Sequence, residues 1–319
     1  MMLSTASTQL PEIPGLPTSE LQTTLFNFMA RLGGNFKHPI PTSRDLSLED
    51  SVKRKLFDLG LDDEGFKIIQ PNHTLFCQYA TMCCGYLDMN AQVFIGALTD
   101  LLTTIDDVLA DSSLTKTFAQ NFFTQQPKGH PLLECLARLL TEETSKIYGP
   151  YATTSIIVSV LEAISALALE SSYPAGFPTS MDGFSIWVRQ RTGYAIAYGM
   201  IAFPNSAVAE EEWLGHFLPI MPAFGEIICY VNDILSFYKE CVNGEVNGLI
   251  FNLAKERHCS NLEALELACQ HAYCADENIR QCLKNQPKLL DAYNFYLQGY
   301  LQWHFLVGRY MLEDVGIRC

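Results

Sequence analysis

Asn232, Ser236 and Glu240 recur at four-residue intervals on one predicted helix, with Lys239 beside them. At 100° per residue the first three fall within about 80° of arc, so an amide oxygen, a hydroxyl and a carboxylate project from one face. Such a set could chelate one cation. Lys239 lies about 20° from Asn232 on the other side and brings an ammonium to the same face, where a phosphate could use it. The competing reading is an amphipathic helix with its polar side in water. Against it stand the mostly apolar residues Phe224 to Val231 just upstream.

A second constellation, Asp106, Asp107 and Asp111, closes a strongly apolar helix running from Gln92 to Leu109. Carboxylates beside buried apolar surface pay a desolvation cost, and a hard, oxygen-seeking ion such as Mg²⁺ would offset it. A solvated helix end remains the alternative, although negative charge there opposes the helix dipole. Arg189 and Arg191 precede Gly193 in a helical pattern where glycine costs stability, which suggests anion recognition or close packing. Gly308-Arg309-Tyr310 offers several donors to phosphate oxygens, the arginine in bidentate fashion. Each of these two segments is common by chance.

The elements that must carry these groups read as helices throughout. From about Glu20 to Glu313 apolar residues recur at three- and four-residue spacing, as in Leu133, Leu136, Leu139 and Leu140, so the expected fold class is all-α. Proline and glycine predict breaks at 37–42, 125–131, 148–150, 171–179 and 203–206. Three stretches, 92–109, 153–169 and 219–238, are apolar on nearly every face and predict central helices able to line a cavity. Residues 1–18 read as a flexible tail and 19–319 as a single helical domain.

Bulk composition narrows the function classes. A chain of 319 residues, 48% hydrophobic and 18% charged, can bury a large core without disulfides. It contains no uninterrupted apolar run of membrane-spanning length, and its first residues lack a secretory pattern, so stable membrane insertion is not expected and a cytoplasmic location is the default. The 11 cysteines show no CxxC spacing and read as reduced, mostly buried thiols rather than a zinc site or disulfide framework. A net charge of −14 argues against nucleic-acid partners.

Taken in order, the acidic cluster, the arginine helix, N-D-x-x-S-x-x-x-E from Asn232 to Glu240 and the Arg309-Tyr310 pair resemble class I terpene synthases. The resemblance is narrower still to fungal sesquiterpene cyclases of the trichodiene synthase family, and it covers about 76–313. It implies a single-domain helical bundle around an apolar cavity and Mg²⁺-dependent ionisation and cyclisation of a linear isoprenyl diphosphate, most simply farnesyl diphosphate. By the same resemblance Asp106, Asp111, Asn232, Ser236 and Glu240 would hold three Mg²⁺ ions, with Asp106 the principal ligand of two. Arg189, Lys239, Arg309 and Tyr310 would grip the diphosphate. Asp107 would pair with the arginines, and Gly193 would mark a helix break with its carbonyl facing the substrate. The acidic pattern departs from D-D-x-x-D: Ala110 holds the usual third position and Asp111 follows it. A regular helix puts Asp107 and Asp111, not Asp106, on a shared face, so the spacing leaves open which carboxylates reach metal.

Ionisation leaves a carbocation, which calls for a dry cavity and aromatic faces. Phe76, Tyr79, Phe94, Trp187, Tyr198 and Trp303 are the candidates, with Tyr194 and Tyr230 beside them. The final proton would go to a weak base, the bound diphosphate being the plausible one. A homodimer is compatible with this reading. Two rivals remain: a chain-elongating prenyl transferase, which carries a second D-D-x-x-D where Asn232, Ser236 and Glu240 stand here, and a catalytically inactive helical relative.

Overall fold

Apolar residues spaced three and four apart hide from water by forming helices that share a core. The computed structural model describes residues 18–33, 44–110, 113–177 and 181–317. Among the described residues there is no strand, and the helices follow in chain order as α1 (Thr18–Gly33), α2 (Leu46–Asp58), α3 (Asp63–Cys84), α4 (Met89–Leu109), α5 (Ser113–Phe123), α6 (Pro131–Arg138), α7 (Thr144–Ile147), α8 (Pro150–Ser172), α9 (Phe184–Thr192), α10 (Ala195–Ile201), α11 (Glu210–Phe217), α12 (Met221–Asn243), α13 (Leu249–Arg257), α14 (Asn261–Leu283) and α15 (Pro287–Leu306). A 3₁₀ turn, Gly308–Tyr310, follows α15.

Local chemistry starts and stops these elements. Asp62 and Asp88 accept backbone N–H bonds from Gly65 and Ala91 and so cap α3 and α4. Ser260 and Glu263 form a reciprocal capping box at α14. Pro150 opens α8, and Gly244, at φ 72°, ends α12 in the left-handed region. The breaks expected at 125–131, 148–150 and 203–206 coincide with the junctions between α5 and α6, α7 and α8, and α10 and α11; of the one expected at 171–179, Ser171 and Ser172 still belong to α8, 173–177 are not helical, and 178–179 lie outside the described residues. The 37–42 break, residues 1–17 of the expected tail and Asp111 lie outside the described residues.

One apolar cluster extends from Leu21 to Ile317. Helix α12 packs against α9, α10, α13 and α14, α4 against α2 and α3, and α15 against α3. Of the three helices expected at the centre, α4 and α12 are buried along most of their length. Helix α8 is not: Tyr151, Val158 and Leu169 are exposed on its outer face, with the exposed Glu162 between the last two. Two helical stretches, α8 and 210–243, are long and apolar enough to cross a membrane, yet 56% of each apolar window is buried within the bundle. A Cβ on Gly299 would fall 1.9 Å from the Met82 carbonyl oxygen, so α15 and α3 meet backbone to backbone. That contact presents Tyr300 and Trp303 beside Phe76 and Tyr79.

The described cysteines are all unpaired thiols, with Cys83 and Cys84 fully buried and Cys274 and Cys282 exposed. His73, Cys77 and Asp100 do meet between α3 and α4, within 4.8 Å of one another. Both imidazole nitrogens are already engaged there, Nδ1 with Asp100 Oδ2 at 2.6 Å and Nε2 with the Glu49 carbonyl at 3.1 Å. The cluster ties α2, α3 and α4 together.

Candidate active site

The second half of α12 supplies one wall of a cavity of about 260 Å³. Because the helix stays regular through this stretch, Asn232, Ser236, Lys239 and Glu240 all reach that wall, as their spacing requires. Ser236 donates to Glu240 Oε1. The other carboxylate oxygen, Oε2, is buried without a partner. Desolvation first, and the charge of Asp233 second, push the Glu240 carboxyl up to about 7. Gly248 makes room for it, since a Cβ there would lie 2.6 Å from Oε2. Lys239 Nζ lies 3.5 Å from Glu245 Oε1.

The arginine on this wall is held by a residue to which sequence reading gave no role. Asp233, 2% exposed, accepts from Arg189 Nε at 2.5 Å and from the Leu249 backbone N–H at 3.2 Å. Arg189 Nη2 also donates to Asn232 Oδ1 at 2.9 Å. The signal was present: one position after Asn232, a residue points about 100° away along the helix surface, toward a neighbouring helix. The helical pattern through Arg189 breaks at Gly193, where α9 ends, and Tyr194 takes φ 52° before α10 begins. A Cβ at 193 would lie 2.8 Å from Arg189 Nη1 and 2.9 Å from its carbonyl oxygen, so the glycine lets the guanidinium fold back over the helix end.

The last turn of α4 faces the same cavity. Asp106 lines it; loss of solvation raises its carboxyl first, Asp107 adds to this, and Arg189, Arg309 and Lys239 oppose it. Asp107 turns aside to accept two bonds from Arg309, at 2.9 and 3.2 Å. Tyr310 lines the cavity next to Arg309 and accepts from Asn232 Nδ2 at 3.3 Å. The structure therefore brings Asp106, Arg189, Gly193, Asn232, Ser236, Lys239, Glu240, Arg309 and Tyr310 to one cavity, with Asp107 directly behind.

Aromatic rings make the opposite wall. Phe76, Tyr79, Tyr194, Tyr198 and Trp303 line it, with the Tyr79 centroid 5.5 Å from Tyr198 and 5.4 Å from Trp303. Two of the six principal ring candidates are corrected. Phe94 lies about three turns upstream of Asp106 on α4 and packs edge-on to Tyr148 in the core, away from the cavity. Trp187, two positions before Arg189, points about 160° away from it; the ring is 49% exposed and carries the Arg191 guanidinium 3.6 Å above its face. Tyr230 likewise stacks on His271 and faces α14. Sequence reading missed Tyr300, Thr99, Thr103 and Thr192, which also line the cavity. Tyr300 was recoverable, because it lies three residues before Trp303 on the same helix face.

Comparison with known proteins places this geometry in a family. Residues 67–318 match the family model described as trichodiene synthase (TRI5). An (E)-beta farnesene synthase of Metarhizium brunneum is 29% identical over 279 residues, covering 86% of this chain and 84% of its own. Longiborneol synthase CLM1 of Gibberella zeae is 29% identical over 246 residues, covering 75% and 71%. Among solved structures, 2-methylisoborneol synthase from Streptomyces coelicolor aligns with TM-score 0.63 at 12% identity, over 84% of this chain and 94% of that one. Linalool/nerolidol synthase from Streptomyces clavuligerus aligns with TM-score 0.61 at 12% identity, over 85% and 99%. The fold is thus the all-α bundle of class I terpene synthases, and the chain belongs to the trichodiene synthase family.

Proposed function

We propose that this protein ionises farnesyl diphosphate with Mg²⁺ and closes the resulting cation to a sesquiterpene, releasing pyrophosphate. The observation that carries the reading is the buried, unpartnered Glu240 Oε2 beside Ser236 and Asn232 on a wall that also bears Lys239 and Arg189. A buried carboxylate oxygen without a donor is costly, and an all-oxygen set with a charged member suits Mg²⁺. Asn232, Ser236 and Glu240 would hold one ion, and Asp106, with Asp111, would hold two more. Bound there, the metal supplies Lewis-acid neutralisation of charge growing on the departing diphosphate.

The chain's own groups do the rest. Arg189, Lys239, Arg309 and Tyr310 donate to diphosphate oxygens and orient the leaving group so that the isoprenyl tail lies against Phe76, Tyr79, Tyr198, Tyr300 and Trp303. As the allylic C–O bond breaks, its electron pair leaves with the diphosphate, and the aromatic faces stabilise the allylic cation. The rings also exclude water that would quench it. Gly193, at the break between α9 and α10, brings backbone close to the departing group. The relatives named as farnesene and longiborneol synthases, and the solved relative whose complex holds Mg²⁺ and 2-fluoroneryl diphosphate, support this substrate class. The same reading takes 19–319 as one cyclase domain, acting as a soluble, cytoplasmic enzyme.

Purified protein incubated with ten-, fifteen- and twenty-carbon diphosphates, with and without Mg²⁺, tests it by identification of cyclic and acyclic volatile products. The fifteen-carbon substrate should turn over only with the metal. No turnover of any of them by demonstrably folded protein would overturn the reading, and condensation to a longer diphosphate would favour a prenyl transferase.

A further inference from the structure

The side-chain amide of Asn232 has two possible orientations; here its oxygen meets the Arg189 guanidinium at the cavity wall and its NH₂ group faces His304 and Tyr310. An amide binds a hard cation through oxygen, never through its NH₂ group, so which end faces inward decides whether position 232 can serve as a ligand at all.

A histidine behind the wall makes that choice. His304, on α15, is 0% exposed. Its Nδ1 lies 2.7 Å from the Tyr300 carbonyl oxygen. A carbonyl only accepts, so Nδ1 carries a proton. With its proton on Nδ1 and the ring sealed from water, Nε2 presents a lone pair. Facing that lone pair, at 3.4 Å, is Asn232 Nδ2. The second amide hydrogen goes to Tyr310 Oη at 3.3 Å, and the amide oxygen accepts from Arg189 Nη2 at 2.9 Å. Every hydrogen and the oxygen of the amide therefore has a partner of the correct sense. Turning the amide over would set oxygen against the His304 lone pair and NH₂ against a guanidinium that can only donate.

We propose that His304 is a positioning residue that fixes Asn232 with its oxygen toward Arg189 at the cavity wall, and that it is the reason position 232 carries asparagine rather than aspartate. An aspartate there would turn a carboxylate oxygen toward a nitrogen lone pair with no proton between them. The proposal rests on the reading of Asn232 as a cation ligand, and it also accounts for Tyr310: with its oxygen accepting from Asn232, the phenol O–H is left to donate into the cavity.

The tautomer is measurable without metal, substrate or turnover. In metal-free protein labelled with ¹⁵N-histidine, the His304 signal, assigned by its loss in His304→Gln, should show a protonated Nδ1 and an unprotonated Nε2. A protonated Nε2 would overturn the proposal while leaving the proposed function untouched. The energetic arm is calorimetric binding of pyrophosphate in the presence of Mg²⁺. His304→Phe keeps a buried ring but removes the acceptor, and should weaken binding about tenfold or more, the scale seen when a partner behind a metal ligand is lost. His304→Gln, whose side-chain carbonyl can accept near the Nε2 position, should recover most of that loss. Asn232→Asp should weaken binding in the native background and much less in the His304→Phe background, because the opposed lone pair is then gone. Equal losses for Phe and Gln at 304, or strict additivity with Asn232→Asp, would refute the coupling. Should His304→Phe fail to fold, the tautomer of the unmodified protein still decides.

Discussion

Two arginine–carboxylate pairs border the same cavity, and they are built differently. Arg189 and Asp233 meet at 2.5 Å with side chains 22% and 3% exposed, and Asp233 is further tied to the first residue of α13 through the Leu249 N–H. Arg309 and Asp107 meet at 2.9 Å with side chains 29% and 33% exposed, at the end of α4. The first pair joins α9, α12 and α13 inside the bundle; the second bridges a helix terminus and a 3₁₀ turn near solvent. The α12 wall is thus set by the fold, whereas the α4 wall hangs on a bond that water and salt can compete for.

The largest test of that contrast is Asp233→Ala. Removing one member of a buried pair strands the other's charge, a loss of about 3–5 kcal/mol. We expect a stability drop of that order in urea denaturation, partly recovered by adding Arg189→Met. A drop below about 1 kcal/mol would mean that the α12 wall is no more fixed than the α4 wall.

Next is the pH response of the metal-free protein. The Glu240 carboxyl stands at about 7, above its usual range, and burial with the Asp233 charge is the cause. A folded-state pKa above the unfolded one means that the folded protein holds more protons between about pH 4.5 and 7, so stability falls as pH rises through that window. Glu170, lifted to about 7 mainly by burial, adds to the slope. Thermal midpoints measured from pH 5 to 8 should decline, and Glu240→Gln should flatten part of that decline. An unchanged slope in the variant would remove Glu240 as its source.

Smaller still are the effects on turnover. Asn232→Ala and Arg309→Ala should each lower kcat/KM at least about tenfold, equivalent to about 1.4 kcal/mol. Rates equal to the unmodified enzyme would contradict the proposed roles, and a loss at Asn232 alone would confine the essential contacts to α12.

The same contrast explains what could be read from sequence. On α12 the helix continues for whole turns on both sides of the site, so the directions of Asn232, Ser236, Lys239 and Glu240 follow from arithmetic on their numbers. On α4 the acids stand at a terminus, where regular geometry stops being a guide: Asp106 faces the cavity and Asp107 is turned to Arg309, while Asp111 lies beyond the described helix. Partners supplied from other helices were not legible. Asp233 and His304 carried no assigned role, because what each one touches is decided by how α9 and α15 pack against α12. Aromatic content likewise did not reveal direction, so Trp187 and Phe94 were grouped with Tyr79 although they point away.

The smallest predicted effect isolates the α4 pair. Asp107→Asn keeps the side-chain shape and one acceptor oxygen but removes the charge facing Arg309. Because both partners keep about a third of their surface in water, the loss of stability should stay below about 1 kcal/mol and shrink further in 0.5 M salt. Arg309 would then be free to turn, so any fall in kcat/KM should exceed what the stability change implies. A salt-independent loss as large as that for Asp233→Ala would show that the terminus of α4 is locked into the bundle as firmly as the middle of α12, and the asymmetry between the two walls would have to be abandoned.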